Sequence, residues 1–454
     1  MPRGTRRASV VLAYVAFVYV GVSAGVGGVL LPSQIADYRV DNATIGITFF
    51  TFSAGFMLAG TTAGALIQRL GIRMTLAVGC GASVLAALYT ATLPPFVALV
   101  AVQVVAGYGI GILEAALNTY LTRLPRATTL LNRLHAFFGV GALLGPLLAA
   151  WILTLAPWTA VWLALALLAL PLLAGFLAIY PRDDVPARGG RSARDETPRD
   201  ETHGDLSPHV ADAGSAVAHG FQAVDSGSAA GGGVQAPGTG SAASQGAEPG
   251  GRGLLVSALR SPAVLLASAL LAVYVGLELG VGNWGFTYLV EEQAQPSLMA
   301  GYTISGYWLG LTLGRFLISP AAARVGLGPA GMLYACLTGV TASAVLTWLA
   351  PVPAVAAAGF VLLGFFLGPI FPTIMAMVPR LTAARLVPTV IGVTNGVSLM
   401  GGAVFPWLAG TVAQQVGMWT LMLFAVVLGV LQLVMWRSVV RRMSAEPVPD
   451  VAHI

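Results

Sequence analysis

The sequence predicts an all-α integral membrane protein with twelve transmembrane helices arranged as two pseudo-symmetric six-helix bundles. Three observations carry that reading. Hydrophobic residues make up 57% of the 454 residues and charged residues only 9%, against about 25% charged in an ordinary soluble domain; the mean hydropathy is +0.82. Twelve apolar runs are long enough to cross a hydrocarbon core about 30 Å thick, which takes about 20 helical residues. Finally, "VYVGVSAGVGGV" at 18–29 returns as "VYVGLELGVGNW" at 273–284, opening each half of the chain with the same phrase.

In order, the runs fall at 9–31, 44–67, 75–93, 96–121, 134–154 and 158–180, then at 261–290, 298–319, 329–350, 354–378, 388–412 and 418–437. The first follows Arg3, Arg6 and Arg7 and is too long for a cleaved signal peptide. Arg69 and Arg73 separate the second run from the third, and Arg123, Arg126 and Arg133 separate the fourth from the fifth. Arg380 and Arg385 divide the tenth from the eleventh, while Arg437, Arg441 and Arg442 close the twelfth. With the N-terminus inside, only Arg39 among these faces outward, so positive charge collects on the cytoplasmic side. The expectation is a multi-pass protein of the cell inner (plasma) membrane with both termini cytoplasmic. This topology accounts for the formal charge of +5 without a nucleic-acid partner. Cys80 and Cys336 both fall inside spans and suggest neither a disulfide nor a metal site.

Residues 181–255 break the pattern. Their "GSAAGGGVQAPGTGSAASQG" has the composition of a flexible tether, and its His203, His209 and His219 are read as solvated linker. The chain thus divides into an N-terminal six-helix bundle at 1–180, a cytoplasmic linker at 181–255, a second bundle at 256–440 and a tail at 441–454. Tyr19 and Tyr274 are 255 residues apart; Gly60/Gly64 and Gly310/Gly314 echo each other at 250, Gly107/Gly111 and Gly364/Gly368 at 257. Two such parallel repeats place a small-solute site near the midplane between halves that rock about it. Tyr19 and Tyr274, on the first helix of each half, are expected to line it.

Two carboxylates lie deep in spans, Glu114 and Glu278. A charge at the bilayer centre costs about 2.5–3.5 kcal/mol even on insertion scales, and such residues face cavities. A carboxyl there can exchange a proton, and when protonated it can also donate a hydrogen bond. Either Glu114 or Glu278 carries the coupling proton, the bland reading being a neutral carboxyl that ties helices together. Asn118 follows Glu114 by one helical turn; Asn283 and Trp284 follow Glu278, and Asn395 sits in the eleventh span. Amides offer donors and acceptors to hydroxyls. Trp284 is placed on the cavity and Tyr288 in the interfacial aromatic belt.

The segments "GGVLLPSQI", "GIGILEAALNTY", "LHAFFGVGALLGP", "YVGLELGVGNWGFTYL" and "GFFLGPIFPTIMA" together resemble the fucose/galactose/glucose–proton symporter branch of the major facilitator superfamily. The resemblance covers the chain apart from the linker. It implies the major facilitator fold, monomeric transport energised by an ion gradient rather than a cofactor, and a role for Glu114 in proton coupling and sugar recognition, with Asn118 beside it. The sequence departs from the branch at Gly28, where its fucose carriers hold an aspartate. "GALIQRLGIR" is similar to the superfamily's G-x-L-x-D-R-x-G-R gate motif: Arg69 and Gly71 fit, Gln68 replaces the aspartate, and Arg73 ends the segment. His135, at the start of the fifth span, is a gate or proton-path candidate, or a helix-end hydrogen-bonding group.

Proton-coupled uptake of a sugar or similar polyhydroxylated solute is the expectation, with sodium as the alternative ion. A proton-driven exporter of drugs or metabolites competes, because "GALLGPLLAA" at 141–150 resembles an antiporter motif. A signalling scaffold would leave the buried carboxylates without a task. Enzymatic chemistry lacks both a phosphate-cradling Gly-Lys-Ser/Thr loop and a metal-ligand cluster.

Overall fold

The computed structural model describes residues 3–180, 256, 258–378, 382–383 and 386–445. The linker at 181–255 with its three histidines, Arg380, Arg385 and the tail beyond 445 lie outside the described residues. Within them the chain is helical throughout. The first half comprises α1 (Arg3–Tyr38), α2 (Asn42–Ile45), α3 (Ile47–Ala91), α4 (Phe96–Thr122), α5 (Ala127–Leu153) and α6 (Thr159–Ile179). The second comprises α7 (Pro262–Glu291), α8 (Ser297–Arg324), α9 (Pro329–Trp348), α10 (Pro353–Leu367), α11 (Ile370–Met377), α12 (Val387–Val416) and α13 (Thr420–Ala445).

Ten stretches among the described residues are long and apolar enough to cross a membrane. One of them, Asn42–Ala91, runs for 50 residues, about twice the length of a crossing. It breaks at Gly71, where φ is 75° and ψ 165°, so it supplies the second and third spans. The 28-residue α8 is the remaining crossing, its hydropathy lowered by Thr303, Ser305, Thr312 and Arg315. α10 and α11 form one crossing, interrupted at Gly368-Pro369 because proline has no N–H to continue the ladder. Side chains such as Leu85, Val97 and Val434 remain largely exposed on the outer faces, as expected where lipid is the solvent. At the short α2, Asp41 caps the helix by accepting from the Thr44 backbone N–H at 2.7 Å. Those Thr44 bonds hold its carboxyl below the ordinary aspartate value.

Gly71 is a place where backbone conformation dictates residue type. Its φ/ψ region is essentially reserved for glycine, and other residues pay about 1–3 kcal/mol there. Gly71→Ala is therefore expected to lower the thermal midpoint of the detergent-solubilised protein by a corresponding amount. An unchanged midpoint would show that the turn between the second and third spans tolerates an ordinary residue.

Helix pairing repeats between the halves. α1 packs on α5 and α3 on both α4 and α6; correspondingly α7 packs on α12, α8 on α10, and α9 on α13. The glycines show how closely. A Cβ on Gly55 would run into the Val104 carbonyl, and one on Gly107 into that of Phe52. In the second half a Cβ on Gly310 would strike the Val361 carbonyl, and one on Gly364 that of Tyr307. Gly111 faces Ala59 as Gly368 faces Gly314. The separation that relates Tyr19 to Tyr274 also relates Gly55 to Gly310. This corrects the echo read from Gly60 and Gly64: both face open space, and the true counterparts of Gly310 and Gly314 are Gly55 and Ala59.

Candidate functional site

A cavity of about 380 Å³ lies between the two bundles, within the roughly 300–1,000 Å³ typical of small-molecule pockets. Helices of both halves supply its walls. From the first half come Tyr19 and Ser23 on α1, Gln103 and Glu114 on α4, His135 on α5 and Trp162 on α6. The second half contributes Glu278 and Asn283 on α7, Trp308 and Arg315 on α8, and Asn395 and Ser398 on α12. Six residues expected in the site therefore meet in one space: Glu114, Glu278, Asn283, Tyr19, Asn395 and His135.

Glu278 is the most elaborately held of them. Its backbone carbonyl accepts from the Tyr307 hydroxyl at 2.9 Å. Arg315 Nη2 stands 3.5 Å from its Oε1, with side-chain exposures of 16% for the arginine and 11% for the glutamate. The Tyr274 hydroxyl donates to the Leu367 carbonyl at 3.1 Å, at the break between α10 and α11, and lies within hydrogen-bonding reach of the Glu278 carboxyl. Tyr274 is thus a buried support behind Glu278 and not part of the wall. The first copy of the repeat keeps the same spacing, Ser23 following Tyr19 by one turn as Glu278 follows Tyr274.

Arg315 lies outside the set of intramembrane carboxylates and amides that the sequence marks, because weighing only those groups passes over a cation. The signal was present: it is an arginine inside the apolar run 298–319, and an intramembrane cation needs a partner as much as an anion does. At its pseudo-equivalent position in the first half stands Gly60. The acid–base pair is therefore an addition to one half of a repeated scaffold, Ser23 and Gly60 occupying the matching places.

Other expected residues sit outside the wall. Asn118 is buried one turn from Glu114, its Nδ2 without a hydrogen-bond partner among the described residues. Trp284 is fully buried, donating its indole N–H to the Pro406 carbonyl at 2.8 Å and packing edge-on against Phe49. Tyr288, three residues from the end of α7, turns inward: it is buried, its hydroxyl donates to the Thr347 carbonyl at 3.2 Å and accepts from Gln293 Nε2 at 3.2 Å. Gln68 and Arg69 are exposed and Arg73 half-buried beside the Gly71 break, at the end of the molecule where α1 begins. Cys80 and Cys336 are free and buried.

At the opposite end the halves are tied together. The Asn42 backbone N–H donates to Gln414 Oε1 at 3.1 Å, and Trp407 Nε1 donates to the Ala43 carbonyl at 3.1 Å. Phe50 packs edge-on against Trp407, ring centroids 5.8 Å apart. On α1, a Cβ at Gly28 would come within 2.5 Å of the Gly282 carbonyl and 2.7 Å of the Asn283 carbonyl. That contact leaves no room for an aspartate at Gly28.

The family model described as Major Facilitator Superfamily matches residues 12–306, more than half of the chain. A relative, "Bypass of stop codon protein 6" of Saccharomyces cerevisiae, is 24% identical over 423 residues, covering 90% of this chain and 77% of its own. The fold is shared with the nucleoside transporter NupG, at a TM-score of 0.70 and 12% identity over 95% of this chain and 99% of that one. It is also shared with the Escherichia coli fucose:proton symporter FucP, at a TM-score of 0.54 and 16% identity over 95% and 98%.

Proposed function

The chain belongs to the Major Facilitator Superfamily and is a multi-pass membrane transporter, and from that premise we propose that it takes up a polyhydroxylated small solute together with a proton, by alternating access. The observation that carries this reading is the Glu278–Arg315 pair set in a cavity between the halves, 3.5 Å apart, with amide and indole side chains around it. Asn283, Asn395 and Gln103 present both donors and acceptors to hydroxyls. Trp162 and Trp308 line the same space, and their indole N–H groups lack a partner among the described residues.

In this mechanism the solute enters while Glu278 exchanges its proton. A neutral Glu278 releases Arg315, and a charged one holds it, so the proton and the solute report to the same pair of helices. Glu114, facing the cavity from the other half, is the second candidate for the proton. The ion gradient supplies the energy, no cofactor takes part, and the protein works as a monomer in the bilayer with its termini in the cytoplasm.

The test is external pH in a weakly buffered suspension of proteoliposomes, recorded after adding single hydroxylated solutes. Solute-specific alkalinisation is expected, abolished in Glu278→Gln and retained in part in Glu114→Gln. Loss in Glu114→Gln alone would move the coupling role to α4. A flat trace for every solute, with labelled solute also failing to enter, would remove the uptake reading and leave export as the activity to test.

A further inference from the structure

We propose that Arg315 anchors an anionic group of the carried solute, so that the class transported is hydroxylated carboxylates, such as sugar acids, in preference to neutral sugars. This rests on the reading of the cavity as the solute site and narrows it. Arg315 is the one arginine among the described residues that line the cavity. A guanidinium offers five N–H donors in a planar fork, yet among the described residues this one forms one ion pair, 3.5 Å from one carboxylate oxygen. A pair serving only to join α7 to α8 would close into the bidentate geometry of about 2.7–2.9 Å that such partners reach.

Two buried donors on the same face of α8 remain unspent. Among the described residues Arg315 Nε has no hydrogen-bond partner, and neither has Trp308 Nε1, two turns earlier. Donors without acceptors suit an anion, which only accepts.

The repeat supplies the second, independent observation. At the matching positions the first half holds Ser23 and Gly60, and its helices pack as closely as those of the second. The fold therefore stands without an acid–base pair at this place, and the pair answers to the cavity's contents. Glu278 acts as the resident carboxylate on Arg315, and the solute's carboxylate displaces it when Glu278 takes up a proton. No covalent step is involved.

The test compares four probes against the purified full-length protein by titration calorimetry: glucuronate, its methyl ester, glucose, and cyclohexanecarboxylate, a ring acid without hydroxyls. Glucuronate is expected to bind at least about tenfold more tightly than its ester or glucose, as charge-assisted bonds outweigh neutral ones. Arg315→Gln is expected to erase that preference. Glu278→Gln, which removes the resident competitor, is expected to widen it; this gain decides the matter even if Arg315→Gln fails to fold. Equal binding of acid and ester by the unaltered protein, or a preference that survives Arg315→Gln or narrows in Glu278→Gln, overturns the inference. In that case bound glucose leaves the hydroxylated-solute reading standing. Arg315-dependent binding of cyclohexanecarboxylate as tight as that of glucuronate keeps the anion anchor and removes the hydroxyl requirement. If none of the four binds, the inference falls, and the proteoliposome recording alone decides the uptake reading.

Discussion

Arg315→Met is expected to destabilise the protein by about 3–5 kcal/mol, the cost of breaking a buried ion pair from one side. Glu278 would be left with its carboxylate at the cavity wall beside Tyr274 and Tyr307, only 11% exposed and without its counter-charge. The double variant Glu278→Gln with Arg315→Met should recover most of the loss, since replacing both partners of a buried pair is often neutral. Thermal midpoints of the unaltered protein, the two single variants and the double variant form the cycle that measures this. A double variant no more stable than Arg315→Met alone would show that the two side chains, although 3.5 Å apart, do not depend on each other. The same cycle separates stability from transport, because a restored double variant should fold yet lack the acid–base pair that couples solute to proton.

Gly107→Ala and Gly364→Ala should each cost about 1–3 kcal/mol, the usual penalty for forcing an extra carbon into a filled contact. The reason is the same at both sites. Each glycine sits where two helices touch backbone to backbone, and an added methyl would meet the carbonyl of Phe52 or of Tyr307. Relief would require α4 to move off α3, or α10 off α8. Gly60→Ala is the matched control: its Cβ would meet nothing within 4 Å, and the change should stay within about 0.5 kcal/mol. Comparable losses at all three positions would mean that close helix contact is not what requires glycine here, since backbone entropy alone favours Gly→Ala. A loss at only one of Gly107 and Gly364 would mean that the two halves, though repeated in sequence, are not held together in the same way.

The fold was legible because bilayer thickness and hydrophobicity act residue by residue along the chain. A 20-residue apolar run needs no knowledge of its neighbours to be recognised, and the doubled Val-Tyr-Val-Gly phrase marks the two bundles without any contact map. The site was legible in part. Glu114, Glu278, Asn283, Asn395, Tyr19 and His135 stand out as polar groups in apolar runs, and the cavity gathers all six. Asn118, Trp284 and Tyr274 show the limit of that logic. Residue type alone does not say which side of a helix meets a neighbour, and these three point into helix packing or support it from behind. Tyr288 likewise turns inward, toward an acceptor at Thr347 on a helix far away in sequence.

From the sequence alone came the class of solvent, the number of crossings, the division into two repeats and a short set of intramembrane polar residues, all consequences of local composition and period. Tertiary structure alone decided which of those residues share one space and which acid has a base. α7 must pack on α8 before Glu278 can meet Arg315, and α1 must pack on α7 before Gly28 becomes obligatory. Charges buried in lipid are governed by partners a few ångströms away, and those partners lie 37 residues along the chain in one case and in the other half of the molecule in the next.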